Sequence, residues 1–318
     1  MHDHLNKKVL LVGAGQMAID YCKVLTALNC NITTVGRNEN SAAVFEGKTG
    51  INVIVGGLEN FLKENTIHFD AVIVAVGMEQ LMPSTVYLLN NNFKNILIEK
   101  PAGLYNTEIK QLAKLAIQKQ AKIVVAYNRR FYASVLKAKE IIKADGGVTS
   151  FNFEFTEWAH IIEPLKKAPG IKENWILANS THVIDLAFYL GGIPQEMKSY
   201  AGGNLSWHDK AIFAGAGKTK GDVLFSYQAN WDAPGRWGVE VLTAKSRLIL
   251  RPLEDLFIQL KGEVTINKVE FDKSEDIAFK PGLMLQTNSF LMGNVASFKT
   301  IEKQAEMLDI YDQIAKGN

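Results

Sequence analysis

"KKVLLVGAGQMAIDYCKVLTALNCNITTVGRN", residues 7–38, decides the fold. An apolar run, Val9 to Val12, stops at Gly13; Gly15 and Ala18 follow, and a helix-period stretch then runs to about Leu28 before a second apolar strand. Strand, glycine turn, helix and strand make a βαβ unit. The spacing G-x-G-x-x-A has a physical reading: Gly13 makes the tight turn, Gly15 lets backbone approach a pyrophosphate, and Ala18 allows close helix-to-strand packing. Gln16 and Met17 open the helix, whose free N–H groups suit an anion. The turn is therefore read as a dinucleotide site.

The end of the second strand selects the dinucleotide, because an acid there binds a ribose 2′-hydroxyl and an arginine accommodates a 2′-phosphate. The chain reads Val35, Gly36, Arg37, Asn38, with no acid, which favours NADP(H) and keeps NAD(H) as the alternative. Further apolar runs, "FDAVIVAVG" (69–77, including Val76) and "FKNILIEKP" (93–101), suit strands covered on both faces. The first third is thus expected to be a doubly wound parallel sheet. Ligands gather at the carboxyl ends of such strands, where Glu99 and Lys100 fall. A lysine beside a positive nicotinamide ring suits proton transfer, with Glu99 to orient it.

The pattern changes after Tyr127. "SFNFEFTEW" (150–158) alternates phenylalanine with polar residues, a strand with one buried face, and "DVLFSYQANW", "WGVEVLTA", "SRLILRP" and "LFIQL" continue a largely antiparallel sheet. "GAGKTK" (215–220) lacks the first glycine of a phosphate-binding loop, since position 212 is Ile, and reads as a connection between strands. The boundaries expected are 1–126 for a dinucleotide-binding domain and 127–318 for an α+β domain, whose closing helix, about 298–316, packs back on the first.

Composition excludes other classes. The 318 residues contain 29 Lys and 6 Arg scattered among 33 acidic residues, with no basic stripe for a nucleic acid. No apolar run reaches the roughly 18–20 residues that cross a bilayer, no leader precedes the first strand, and a cytoplasmic protein is expected. Cys22 and Cys30 fit neither a disulfide nor a metal framework, and no metal is expected. His208 and His68 are read as surface residues.

The stretch "EKPAGLYNTEIKQLAKLAIQKQAKIVVAYNRRF" (99–131), with "STHVIDLAFYLGG" (180–192) and "KTIEKQAEMLDIYDQI" (299–314), resembles the Gfo/Idh/MocA oxidoreductases, the family of glucose-fructose oxidoreductase and the inositol dehydrogenases. The resemblance implies that Lys100 lies near the nicotinamide and the hydroxyl being oxidised, and that its bond to Pro101 is cis. It makes Lys100 and His182 the catalytic candidates. Gly13, Gly15, Gln16, Met17, Arg37, Val76, Glu99 and Lys100 are the candidates for the cofactor. Tyr127, Arg130, Trp158, Asn174, Trp175, Asn179 and His182 are those for a sugar: aromatics for ring faces, polar groups for hydroxyls. Two positions depart from the family. The aspartate that many relatives carry four residues before the histidine is Ala178, and Val76-Gly77-Met78-Glu79 replaces the usual segment after the fourth strand.

The activity implied is hydride transfer between a dinucleotide and a sugar, nucleotide sugar or cyclic polyol. The alternatives are an NAD-dependent glycosidase or lyase that oxidises its sugar transiently, and a non-catalytic dinucleotide or sugar sensor. A homodimer or homotetramer assembled through the second sheet is also implied.

Overall fold

The computed structural model describes residues 7–65 and 67–317, which form two compact units. The first comprises the chain through Asn128 together with 275–306; the second comprises 129–274 and 307 onward.

In the first unit, strands β1 (Lys8–Val12), β2 (Asn31–Val35), β3 (Val53–Ile54), β4 (Ala71–Val74), β5 (Asn95–Ile98) and β6 (Lys122–Val125) lie parallel in the order β6-β5-β4-β1-β2-β3. Val9–Val12, Ala71–Val74 and Ile96–Ile98 are all buried, as strands covered on both faces require. The strand order reverses between β1 and β4, so the turns after these strands flank the crevice where α/β sheets place ligands. The helix Gln16–Ala27 packs Ala18, Tyr21, Cys22 and Leu25 inward. Both cysteines are free thiols.

The second unit holds an eight-stranded sheet. Its strands are β7 (Ser150–Glu154), β8 (Pro194–Gly202), β9 (Ile212–Thr219), β10 (Leu224–Asn230), β11 (Gly238–Leu242), β12 (Ser246–Leu250), β13 (Phe257–Leu260) and β14 (Asn267–Lys268). Their order is β14-β13-β12-β11-β7-β10-β9-β8, antiparallel throughout except for β7 beside β10. The alternation in β7 puts Phe151 and Phe153 on one face, where they stack on Phe225 and Tyr227 of β10 with ring centres 5.4 and 5.3 Å apart. The helix Thr181–Gly191 covers that face. Phe188 meets Phe151, Phe153 and Phe225 edge-on, and a Cβ on Gly191 would strike the Phe151 ring at 2.2 Å. The sheet's other face carries half-buried and exposed residues, among them Lys198, Tyr200 and Leu224.

Residues 215–219 of "GAGKTK" belong to β9 instead of forming a connection. Their glycines are required by neighbours: a Cβ on Gly215 would come within 2.4 Å of the Tyr227 ring and 2.6 Å of the Lys198 carbonyl, and one on Gly217 within 2.3 Å of the Glu196 carbonyl.

After the second sheet the chain returns to the first unit. There the helix Leu283–Leu291 packs on Gln16–Ala27, and β15 (Lys299–Thr300) adds antiparallel to β6. The last helix, Leu308–Lys316, lies in the second unit, where Gln313 donates to the Met197 carbonyl of β8.

Candidate active site

The first unit presents an open glycine turn, a candidate nucleotide cradle, at the carboxyl end of β1. Gly13 has φ +124°, and a Cβ there would meet the Ala75 carbonyl oxygen at 2.3 Å, so only glycine fits. Gly15 differs: a Cβ would meet nothing within 4 Å, leaving the space above the turn open. The helix that follows starts at Gly15 without a side-chain cap, and its first turn has no acid, so its leading N–H groups are available to an anion. Gln16 bends back to Asp20 at 3.0 Å. Arg37, past the end of β2, has a side chain 62% exposed, and Glu79 in the first turn of the helix Met78–Asn90 lies 4.0 Å away. Val76 is half-buried beside Gly13.

Glu99 and Lys100 follow β5, on the same sheet edge as the glycine turn. The Lys100–Pro101 bond is cis. Glu99 accepts from the Tyr21 hydroxyl at 2.9 Å, which ties the EKP turn to the helix that begins at the cradle. Burial pushes the Glu99 carboxyl up, opposed by the nearby charges of Lys100 and Lys280 and by the Tyr21 bond. Lys280 comes from the returning segment and also reaches Met17 Sδ at 3.1 Å and Asp20 at 3.9 Å. Nothing in its sequence surroundings marks it. Tyr127 is buried at the end of this sheet, where its hydroxyl accepts from Gln304 at 3.0 Å and Lys299 lies over its ring.

The second unit gathers a different set, at the carboxyl end of β7, the entry to β11 and the first turn of the helix Thr181–Gly191. His182 is 8% exposed in that turn, its ring centre 6.0 Å from that of Trp237. A single π-turn, Ile176–Ser180, leads into the helix and contains Ala178 and Asn179. Beneath it lies Glu157, 1% exposed, whose Oε1 accepts from Ser180 Oγ at 2.8 Å and Asn179 Nδ2 at 3.0 Å, while Oε2 stands 3.6 Å from Arg236. Burial pushes its carboxyl up to about 7 against these partners. A buried carboxylate from the strand side thus lies under the π-turn, held by Asn179 and Ser180.

Trp158, Asn179, Trp175 and His182 are brought into this neighbourhood. Trp158 is half-exposed, with Arg236 over its ring, and Trp175 is buried at the start of the π-turn. Asn174 spends its amide on the Gly170 carbonyl at 2.9 Å. Arg130 is taken up by Asp185, with two bonds of 2.7 Å, and stacks over Tyr189. His208, expected at the surface, is 8% exposed and packs on Trp231 at 4.8 Å, because the indoles of Trp207 and Trp231 close over the loop that carries it. Sequence reasoning did not single out Glu157, Arg236 or Trp237. The one available signal was Glu157 itself, a carboxylate two residues beyond the buried Phe155 in a run otherwise read as strand. Among the described residues no cluster of metal-ligating side chains occurs, and no helix is long and apolar enough to cross a membrane.

The cradle, the parallel sheet and the EKP turn coincide with the part of the chain that a family model matches: "Oxidoreductase family, NAD-binding Rossmann fold", over residues 7–127. That model is the one of the Gfo/Idh/MocA oxidoreductases, so it is to this family that the first unit's sequence is similar. Solved structures extend the likeness in fold to nearly the whole chain. A levoglucosan dehydrogenase in complex with NADH and L-sorbose is 17% identical, with a TM-score of 0.78 over 98% of this chain and 96% of its own. An oxidoreductase of Agrobacterium radiobacter, in complex with NAD+, L-tartaric acid and magnesium, is 11% identical, with a TM-score of 0.78 over 96% and 94%. A UDP-N-acetylglucosamine 3-dehydrogenase of Acidithiobacillus ferrooxidans is 13% identical, with a TM-score of 0.74 over 98% and 97%. No curated protein matches the sequence. The likeness to the Gfo/Idh/MocA family is one of sequence in the first unit and one of fold in the second.

Proposed function

We propose that this protein is an NADP(H)-dependent dehydrogenase or reductase acting on a CH–OH carbon of a sugar, nucleotide sugar or cyclic polyol. The observation that carries the reading is the placement of Lys100 on the same edge of the parallel sheet as the open glycine turn at Gly15. The turn fits a dinucleotide: Gly13 cannot be larger, Gly15 leaves space, and an uncapped helix start faces that space. The nicotinamide, when bound, supplies the hydride donor or acceptor.

This chain's residues do the rest. Gln16 and Met17 present backbone N–H groups to the pyrophosphate, Arg37 receives the 2′-phosphate, and Val76 borders the crevice. Lys100 holds or takes the hydroxyl proton of the substrate, with Glu99, anchored by Tyr21, fixing the turn that carries it. His182 is the second proton-handling group. Trp158, Trp175 and Asn179 support a sugar-binding surface on the second unit. The half-exposed outer face of the second sheet supports assembly into a homodimer or homotetramer.

Calorimetric titration with NADPH and NADH, followed by turnover assays on neutral sugars, sugar acids, polyols and nucleotide sugars with the tighter dinucleotide, tests the proposal. The expected result is tighter binding of NADPH and cofactor-dependent turnover of one substrate class. Absence of binding by either dinucleotide would overturn it.

A further inference from the structure

Arg236 is held in place by aromatic rings, with one carboxylate, Glu157, at ion-pair distance and, among the described residues, no hydrogen bond from its guanidinium. It lies in the loop that enters β11, and its guanidinium carbon is 4.8 Å from the ring centre of Trp158 and 4.7 Å from that of Trp237. The loop is clamped on both sides of it. Trp158 Nε1 donates to the Gly235 carbonyl at 2.8 Å, Arg251 donates to the Arg236 carbonyl at 3.1 Å, and a Cβ on Gly235 would strike Glu154 at 2.4 Å. Much of the ordering entropy of a long side chain has therefore already been lost before any ligand arrives.

A guanidinium has five N–H donors. Among the described residues, none of those on Arg236 reaches a hydrogen-bond acceptor; its partner is Glu157, an ion pair at 3.6 Å. The side chain is 46% exposed, so it is accessible to a ligand. Beside it, the Trp237 indole N–H is buried and also lacks an acceptor. A second guanidinium, that of Arg129, lies 4.7 Å from the same Trp237 ring, and the charge of Glu157 is felt there too. His182 adjoins this group across Trp237.

We infer that Arg236 is an oxyanion fork: with Trp158 and Trp237 holding it, it reads a carboxylate or phosphate carried by the sugar-like substrate. The planar guanidinium offers two parallel N–H donors that match either group, which a neutral hydroxyl cannot exploit equally. The inference rests on the proposed sugar oxidoreductase reading for the identity of the carrier, but the fork itself stands on the geometry of the second unit alone.

The test titrates the full-length protein, with and without NADPH, with glucose, glucuronate, glucose 6-phosphate and UDP-glucose, following heat and tryptophan fluorescence. Two charge-assisted hydrogen bonds predict that at least one charged probe binds roughly tenfold to a hundredfold more tightly than glucose. Arg236→Gln should remove most of that gap, and Arg236→Lys should restore only part, because a lysine keeps the charge and loses the fork. The carboxylate and phosphate probes separate the two sources of the anion. If no charged probe binds more tightly than glucose to the wild-type protein, the inference is overturned; the same holds if the gap survives Arg236→Gln. The wild-type comparison needs no variant to fold. Anion binding through Arg236 without dinucleotide binding would keep the fork and discard the oxidoreductase reading, whereas NADPH-dependent turnover of neutral sugars in preference to charged ones would do the reverse.

Discussion

Asp185 receives Arg130 in a two-point fork: Oδ2 accepts from Nε and Oδ1 from the terminal nitrogen, both at 2.7 Å, with the two side chains almost wholly buried. This pins the helix carrying His182 to the turn Asn128–Phe131, and the guanidinium is completed by the Tyr189 ring 4.5 Å away. Removing one partner of such a pair strands a buried charge and costs about 3–5 kcal/mol. Asp185→Asn is therefore expected to lower the thermal midpoint of the protein steeply, with dinucleotide affinity little changed in protein that remains folded. A variant that keeps its midpoint and loses only sugar binding would return Arg130 to the substrate.

The two glycines of the cradle should respond oppositely to alanine. Gly13→Ala forces a Cβ to within 2.3 Å of the Ala75 carbonyl from a left-handed backbone, so it should destabilise the first unit by more than about 1 kcal/mol. Gly15 has extended backbone, φ −87° and ψ −174°, and open space for a Cβ. Gly15→Ala is expected to leave the melting curve intact and to weaken both dinucleotides. Paired calorimetric and thermal measurements on the two variants check this.

The first unit was legible because its signals are local. A strand buried on both faces is one continuous apolar run, and the turn at Gly13 must be glycine for reasons contained within the same unit. The second unit was legible only where aromatic alternation was strong, as in Phe151, Phe153 and Phe155. β9 was not, since glycines that read as a loop are there to admit Tyr227 and Phe225 from the neighbouring strand. The site divided in the same way. Lys100 and His182 stand in motifs, whereas Glu157, Arg236 and Trp237 acquire meaning only when β7 and β11 pair and bring positions about 80 residues apart in sequence together. Arg130 shows the converse: a polar residue in a motif, fully occupied by a partner 55 positions away.

Arg37 and Glu79 make cofactor choice a competition. Glu79 lies 4.0 Å from the guanidinium expected to meet a 2′-phosphate, and both side chains are exposed enough for the pair to be weak. Arg37→Ala should reduce the NADPH preference by about tenfold, the loss of roughly one charge-assisted contact. Glu79→Gln should raise that preference by removing a like charge from the phosphate's surroundings. The ratio of NADPH to NADH dissociation constants is the readout, and it should rise towards one with ionic strength as salt screens the exposed guanidinium.

Lys100→Ala is expected to reduce turnover by about a hundredfold or more, in the range attributed to general acid–base groups, with a much smaller change in dinucleotide affinity. Glu99→Gln should act through the turn. It leaves the Tyr21 hydroxyl a neutral partner in place of a carboxylate, so it should weaken turnover less than Lys100→Ala and be mimicked in part by Tyr21→Phe. Wild-type-like turnover in Lys100→Ala would remove the lysine from the chemistry while leaving the cradle assignment untouched.

The buried Glu157 makes stability depend on pH in a direction unusual for a carboxylate. Burial raises its native pKa to about 7 from the ordinary 4.5, despite Ser180, Arg236 and Asn179. Between these values the folded protein binds more proton than the unfolded chain, so this group's contribution to stability is complete below pH 4.5 and is lost as pH rises through about 7. The gap corresponds to roughly 3 kcal/mol over the whole window. The wild-type thermal midpoint should therefore fall between pH 5 and 8, and Glu157→Gln, which cannot ionise, should flatten that fall. The same substitution leaves Asn179 and Ser180 with an amide oxygen to donate to, so the π-turn before His182 retains an acceptor. A midpoint that falls equally in both proteins would place the titrating group elsewhere.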